Sequence, residues 1–126
     1  MGWTVALRTG PAGAQTPYEV NIRRIDALAG TEDGRDELQI ERFICAHAIM
    51  LALEGIPGIY INSLLGASND YEGLARTGQY RSINRRNWQR TELRQLLDDP
   101  ASTQSVVLGR LRELIRLRRV QQAFHP

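Results

Sequence analysis

The sequence predicts an α/β fold that is incomplete on its own. A helix over residues 36–54 is followed by a break at Pro57 and Gly58 and by a continuous apolar run at residues 59–61. A run without apolar–polar alternation is typical of a parallel strand that is covered on both faces. Such a strand needs neighbours for its backbone hydrogen bonds, and the rest of the sequence predicts no parallel partner. The chain is therefore expected to be part of a larger architecture.

The N-terminal part predicts two short strands and a loop. Residues 3–8 (WTVALR) and 18–22 (YEVNI) are rich in β-prone side chains, and the segment between them contains Gly and Pro. Residues 27–35 are polar and punctuated by glycine, which predicts a loop.

The helix of residues 36–54 has signals at both ends. Asp36 with Gln39 three places later resembles a capping arrangement, and Gly55 predicts the stop. The second half is apolar nearly all round except at His47, so this helix is expected to be buried on more than one side.

The C-terminal part predicts a loop and two helices. Residues 66–90 form a long, polar, arginine-rich stretch, and such loops are usually functional or disordered. A short helix is predicted at residues 91–97. A last helix is predicted from Asp99 and Pro100, because proline is favoured at the first helical position, to about Ala123. Its apolar face consists of Val107, Leu108, Leu111, Leu114 and Ile115.

The amino-acid composition excludes only a few classes of protein. All 16 basic residues are arginines, but 14 acidic residues leave a formal net charge of only +2, which does not indicate a nucleic-acid-binding protein. The single Cys45 excludes a disulfide within the chain and is expected to be a small buried apolar residue. Neither a secretory signal nor an apolar run of membrane-spanning length is visible, so the sequence predicts a soluble, cytoplasmic chain.

The arginine-rich segment at residues 81–86 (RSINRR) allows two interpretations. Guanidinium groups bind carboxylates, phosphates or neighbouring sugar hydroxyls through paired hydrogen bonds. A solvated loop with surface ion pairs is the commoner outcome of such a pattern. Tyr80 and Trp88 flank the arginines, but the aromatic side chains are too sparse to favour nucleic-acid binding.

Two further patterns are ambiguous. On the second strand, Tyr18 and Val20 share one face while Glu19 and Asn21 share the other. The polar pair fits a sugar-facing edge, or the wet face of an edge strand. His47 has no second potential ligand four residues away and is interpreted as a hydrogen-bonded core histidine rather than a metal ligand.

Three segments together resemble a known family. They are PYEVN at residues 17–21, RFICAHAIMLALEGIPGIYINSLLGASND at residues 42–70 and RTGQYRSINR at residues 76–85. In this order they resemble the C-terminal part of the sucrose phosphorylase-like sugar phosphorylases, in glycoside hydrolase family 13 of the α-amylase superfamily. The resemblance covers residues 3–123.

The resemblance implies that the chain is a C-terminal fragment of a (β/α)8 TIM barrel. Residues 59–61 would be the eighth barrel strand, residues 36–54 the helix before it, and residues 3–22 the end of an insert after strand seven. The chain then divides into residues 1–35, in the inserted acceptor-loop region, and residues 36–126, in the catalytic barrel. Burial of residues 59–61 is a requirement of this assignment. The active site of such a barrel lies at the C-terminal ends of its strands.

The resemblance also implies an activity for the full-length protein. Family members transfer a glucosyl group between an α-glucoside and phosphate with retention, through a covalent glucosyl-enzyme. Their catalytic carboxylates lie on strands four, five and seven, which this chain lacks, so the fragment alone is expected to be inactive. No cofactor or metal is expected. The alternatives are a fragment of a hydrolase or transglucosidase of the same superfamily, or a non-catalytic arginine-rich remnant.

Five residues of this chain match substrate-binding positions by the resemblance. Arg85 would grip the far hydroxyls of glucose with Asn84 beside it, Asp70 would lie at the barrel rim, and Tyr18 and Glu19 would face the acceptor and phosphate. Sucrose phosphorylases commonly have Gln where Glu19 stands. A carboxylate there would repel phosphate or an anionic acceptor and favours a polyol or a neutral sugar as acceptor, and this departure argues against sucrose itself as the substrate. The expected partners are a small sugar, inorganic phosphate and the remainder of the barrel, but neither nucleic acid nor a membrane.

Overall fold

The structure is a computed structural model that describes residues 4–124, without the side chain of Ala12. In chain order its elements are β1 (Thr4–Thr9), β2 (Gln15–Asn21), α1 (Arg24–Ala27), β3 (Gly30–Thr31), β4 (Gly34–Arg35), α2 (Gln39–Ala52), α3 (Ile61–Leu64), α4 (Tyr71–Thr77), α5 (Arg90–Asp98) and α6 (Thr103–Val120). Short 3₁₀ turns cover Pro11–Gly13, Tyr80–Asn84 and Gln122–Phe124. Trp3, at which the first strand is predicted to begin, lies outside the described residues.

The two predicted N-terminal strands form one antiparallel hairpin. β1 pairs with β2, with Ala6 opposite Glu19 and Leu7 opposite Pro17, so Tyr18 is an extra residue without a partner on β1. Such a bulge bends a strand and redirects the side chains beside it. The polar face of β2 points inward, because Asn21 is fully buried whereas Tyr18 is 61% exposed.

The core lies between α1, α2 and α6. Its buried members are Ile25, Phe43, Ile44, Val107 and Leu111. Two residues of the predicted apolar face of the last helix, Val107 and Leu111, are completely inaccessible to solvent. The core contains residues from both sides of the predicted boundary at residue 35, since Ile25 lies before it and the other four lie after it. The division of the chain into two regions stays a prediction.

Helix α2 begins later than the sequence predicts. The carboxylate of Asp36 accepts the N–H of Leu38 at 2.8 Å and pairs with Arg42 at 2.6 Å, so Asp36 belongs to the turn before the helix. At the other end, Arg118 of α6 donates to the carbonyl of Leu51 and to that of Leu53, the C-cap residue, at 2.9 Å. These bonds satisfy carbonyl groups that a helix end leaves without partners.

The predicted start of the last helix is wrong by three residues. The hydroxyl of Ser102 accepts the N–H of Ser105 at 3.0 Å, which makes Ser102 the N-cap of α6. Asp99 forms a turn instead, because its carboxylate accepts the N–H of Ala101 at 2.9 Å. Serine and aspartate compete for this role, and only one of them can begin the helix.

The predicted strand at residues 59–61 is wrong for this chain. Tyr60 and Ile61 are 51% and 56% exposed, and Ile61 already begins α3. Within residues 4–124 the strands pair only as β1 with β2 and β3 with β4, so nothing here supplies the hydrogen bonds that a parallel strand requires. The expected burial is therefore not met, and assignment to a barrel stays a prediction about a larger protein.

His47 and Cys45 on α2 are both predicted to be buried, and the structure confirms this only for His47. His47 is 1% exposed, and its Nδ1 donates to the carbonyl of Phe43 at 2.8 Å, so it is a core histidine as predicted. Desolvation by burial lowers the pKa of His47, which keeps the imidazole neutral. Cys45 is exposed rather than buried, on the same face as the exposed Ile49 one turn later.

None of the helices within residues 4–124 is long and apolar enough to span a membrane.

Candidate substrate-binding site

A cleft of about 410 Å³ lies between β2 and the turn Tyr80–Asn84. Its lining consists of Glu19, Tyr60, Arg81, Asn84 and Arg85. The structure therefore brings together Glu19, Asn84 and Arg85, which the family resemblance assigns to the substrate site although 65 positions separate the first two. Their role in binding substrate stays a prediction.

The turn that carries the arginines is fixed by a helix that the sequence analysis missed. Residues 66–90 are not one long loop, because α4 and the turn Tyr80–Asn84 interrupt them. Ile83 is completely buried, and its carbonyl accepts the N–H of Asp70 at 2.9 Å. The hydroxyls of Thr77 and Ser82 bond at 2.6 Å, which ties the end of α4 to the same turn.

Asp70 and Tyr18 do not line this cleft. Asp70 is the N-cap of α4, and its Oδ1 accepts the N–H of Gly73 at 2.8 Å. A Cβ at position 73 would lie 2.4 Å from Oδ2 of Asp70, so a larger residue there would displace the capping carboxylate. Tyr18 lies on the outer face of the hairpin at the bulge. A contact of either side chain with substrate stays a prediction.

Asn62 organises the wall of the cleft, although no pattern in the sequence singles it out. It is 3% exposed, and its Oδ1 accepts the indole N–H of Trp88 at 2.7 Å. Its Nδ2 donates to the carbonyl of Arg86 at 3.1 Å and to the hydroxyl of Tyr60 at 3.3 Å. That hydroxyl in turn donates to the carbonyl of Asn84 at 3.3 Å. One buried amide thus joins α3 to both sides of Arg85.

The cleft carries an excess of positive charge. Arg81 and Arg85 face a single carboxylate, that of Glu19, and Arg81 Nε lies 3.1 Å from Glu19 Oε2. The sequence predicts that Glu19 repels an anionic acceptor. Arg81 offsets part of that charge, and the preference of the site for a neutral or an anionic acceptor stays a prediction. Arg86 is engaged elsewhere, 2.6 Å from a carboxylate oxygen of Glu92 and 4.3 Å from the ring centre of Trp88.

Comparison with known proteins identifies the family. The chain is 42% identical over 125 residues to a glucosylglycerate phosphorylase of Escherichia coli, covering 99% of this chain and 22% of that protein. It is 40% identical over 111 residues to a glucosylglycerate phosphorylase of Allomeiothermus silvanus, covering 87% of the chain and 20% of the relative. A sucrose phosphorylase of Agrobacterium vitis is 35% identical over 120 residues, covering 94% of the chain and 22% of the relative.

The chain belongs to the sucrose phosphorylase-like sugar phosphorylases. The resemblance inferred from the sequence is confirmed. The chain spans about a fifth of the length of these relatives. No protein-family model matches it, and no solved structure does.

Within residues 4–124, no group of three or more His, Cys, Asp or Glu side chains is arranged to hold a metal ion.

Proposed function

We propose that the protein containing this chain is a retaining glucoside phosphorylase, and that the cleft is the part of its substrate site contributed by this chain. In this proposal phosphate takes over a glucosyl group from an α-glucoside, and the catalytic carboxylates come from the rest of a (β/α)8 barrel. A cytoplasmic location agrees with such a metabolic role and stays a prediction.

The observation that carries the proposal is the convergence of Glu19, Asn84 and Arg85 on one cleft. The family resemblance selects these three residues independently of any structure. Arginine suits the proposed role, because its rigid fork of N–H groups can donate to two neighbouring hydroxyl oxygens of one sugar.

We propose glucosylglycerate as the glucoside. The two relatives with the highest identities reported above are named glucosylglycerate phosphorylases. The excess of arginine over carboxylate in the cleft fits an acceptor with a carboxylate better than a neutral polyol. Only the negative charge of Glu19 favoured a neutral acceptor, and Arg81 offsets part of that charge.

A chimera tests this proposal. The segment of the Escherichia coli relative that matches this chain is replaced by residues 1–126, and release of glucose 1-phosphate from glucosylglycerate and phosphate is measured. We expect the chimera to be active. Within it, Arg85→Ala should lower kcat/KM by about 10- to 100-fold, because the substitution removes hydrogen bonds from a charged group to the substrate. Arg90→Ala, at the exposed start of α5, is the matched control and should leave kcat/KM unchanged.

Two results would contradict the proposal. A folded chimera that releases free glucose instead of glucose 1-phosphate would favour the hydrolase alternative. A folded chimera without turnover of any glucoside, next to an active parent enzyme, would favour a non-catalytic remnant.

A further inference from the structure

Helix α2 has a second face that the structure leaves uncovered. Its exposed positions are Glu41, Cys45, Ile49 and Ala52, and their spacing of three or four residues places them in one stripe along the helix. Ile49 is 62% exposed. The buried side chains of α2 lie on the opposite side of the helix, in the core shared with α1 and α6. The sequence predicts burial of this helix on more than one side, and the described residues cover only one.

This exposed side of α2 differs from an ordinary water-facing helix face. Its one carboxylate, that of Glu41, is paired with Arg110 at 2.5 Å, and the three positions that follow carry no charge. The exposed side of α6 contains four charged side chains, those of Arg112, Glu113, Arg116 and Arg119. An uncharged, exposed helix face is typical of a surface that another part of a protein covers.

The apolar surface continues beyond the end of α2. Leu53 is exposed like Ile49, and Ile56 is fully exposed. Arg118 fixes the backbone here, because it donates to the carbonyl of Leu53 at 2.9 Å and to that of Gly55 at 2.6 Å. Leu53 and Ile56 are therefore exposed on a backbone that hydrogen bonds hold in place. Together these apolar side chains form the open stripe, which consists of Cys45, Ile49, Ala52, Leu53 and Ile56.

We propose that the open stripe is the contact surface for a part of the protein outside these 126 residues. The occupant is an uncharged, apolar surface of a helix or strand, because a charged group would be buried there without a partner. The chain spans only about a fifth of the length of its relatives, which leaves room for such an occupant in a protein of their length. The inference rests on the proposed function in one respect, since that function also places this chain in a longer protein.

A second copy of the chain fits the open stripe less well. Its helical part, from Cys45 to Ala52, is about 10 Å long, because a helix rises about 1.5 Å per residue. A stable interface between separate chains needs about 800 Å² from each partner, which exceeds what one short stripe offers. Within one polypeptide a smaller contact is sufficient, because the chain itself keeps the two surfaces close together.

Labelling of Cys45 tests the proposal, since this single cysteine of the chain lies in the open stripe and is exposed. The isolated chain and the chimera are treated with N-ethylmaleimide, and modification of the peptide that contains Cys45 is followed by mass spectrometry. We expect rapid modification in the isolated chain and at least about 100-fold slower modification in the chimera, where the thiol is covered. The matched control is Glu113→Cys, on the charged side of α6, which should react at similar rates in both proteins.

Ile49→Lys provides a second test. Because Ile49 is exposed in the isolated chain, the substitution should leave the melting temperature of that chain nearly unchanged. In the chimera the ammonium group would be buried against an apolar surface, so the melting temperature should fall by at least about 5 °C. Ile49→Val keeps an apolar side chain and should leave the chimera close to its original melting temperature.

Each outcome decides the proposal. It is overturned if Cys45 reacts equally fast in both proteins, if Ile49→Lys leaves the melting temperature of the chimera unchanged, or if the chimera fails to fold while the Escherichia coli relative folds. It is also overturned if the isolated chain forms a dimer in light scattering that Ile49→Lys dissociates, while Cys45 stays reactive in the chimera. The occupant would then be a second copy.

The two tests also separate this proposal from the proposed function, because neither requires turnover. A folded chimera that protects Cys45 but releases no glucose 1-phosphate would contradict only the proposed function. An active chimera in which Cys45 reacts rapidly would contradict only the proposal on the open stripe.

Discussion

Replacing Leu111 with alanine should lower the free energy of unfolding by about 3 kcal/mol, within the range of about 2–5 kcal/mol for buried leucines. Leu111 is completely buried on α6, in the core shared with Phe43 and Val107. The substitution removes apolar surface from the core and leaves a cavity that rigid helices fill only in part. Urea unfolding followed by circular dichroism at a helix wavelength measures the effect.

The same helix provides the control. Leu117 is 56% exposed on α6, so Leu117→Ala should change the free energy of unfolding by no more than about 0.5 kcal/mol. Equal effects of the two substitutions would show that α6 does not pack on α2 through Leu111.

Replacing Asn62 with leucine should both destabilise the chain and release the loop that carries Arg85. The substitution leaves the indole N–H of Trp88 and the carbonyl of Arg86 without their partner. Each buried group that loses its partner costs about 1–3 kcal/mol, so a loss of about 3 kcal/mol is expected. Unfolding in urea measures the loss, and the indole N–H signal of Trp88 reports the local change through faster exchange with solvent.

Asn87→Leu is the matched control, since Asn87 is exposed in the same loop. It should leave both the free energy of unfolding and the Trp88 signal nearly unchanged. An Asn62→Leu variant with a protected Trp88 indole would contradict the role of Asn62 in holding the cleft wall.

The helices with periodic apolar patterns were predictable from the sequence. α2, α5 and α6 occur where residues 36–54, 91–97 and the C-terminal stretch predict them, with errors at their ends. Helix ends depend on which side chain captures the free N–H groups, as at Ser102 and Asp36, and several candidates stand close together in the sequence.

Helix α4 was predictable in principle but lay inside a predicted loop. Asp70 as N-cap, Glu72 in the first turn and Gly78 in the left-handed conformation (φ 65°) are ordinary signals of a short helix. The polar composition of residues 66–90 concealed them, because a helix of seven residues has too few positions to display a period.

In the candidate site, only the residues selected by the family resemblance were predictable from the sequence. Glu19, Asn84 and Arg85 share the cleft as expected, whereas Tyr60 was interpreted as part of a buried strand. The burial of Arg23 was not predictable either, because it comes from long-range contacts. Its backbone N–H donates to Oδ1 of Asn69 at 2.7 Å across 46 positions of the sequence.

Amide hydrogen exchange at residues 59–61, compared between the 126-residue chain and the chimera, most directly tests the claim that this chain is one part of a barrel. The claim predicts rapid exchange in the isolated chain, where Tyr60 and Ile61 are exposed, and at least about 100-fold slower exchange in the chimera, where neighbouring strands accept these amides. Equally rapid exchange in both proteins would contradict it.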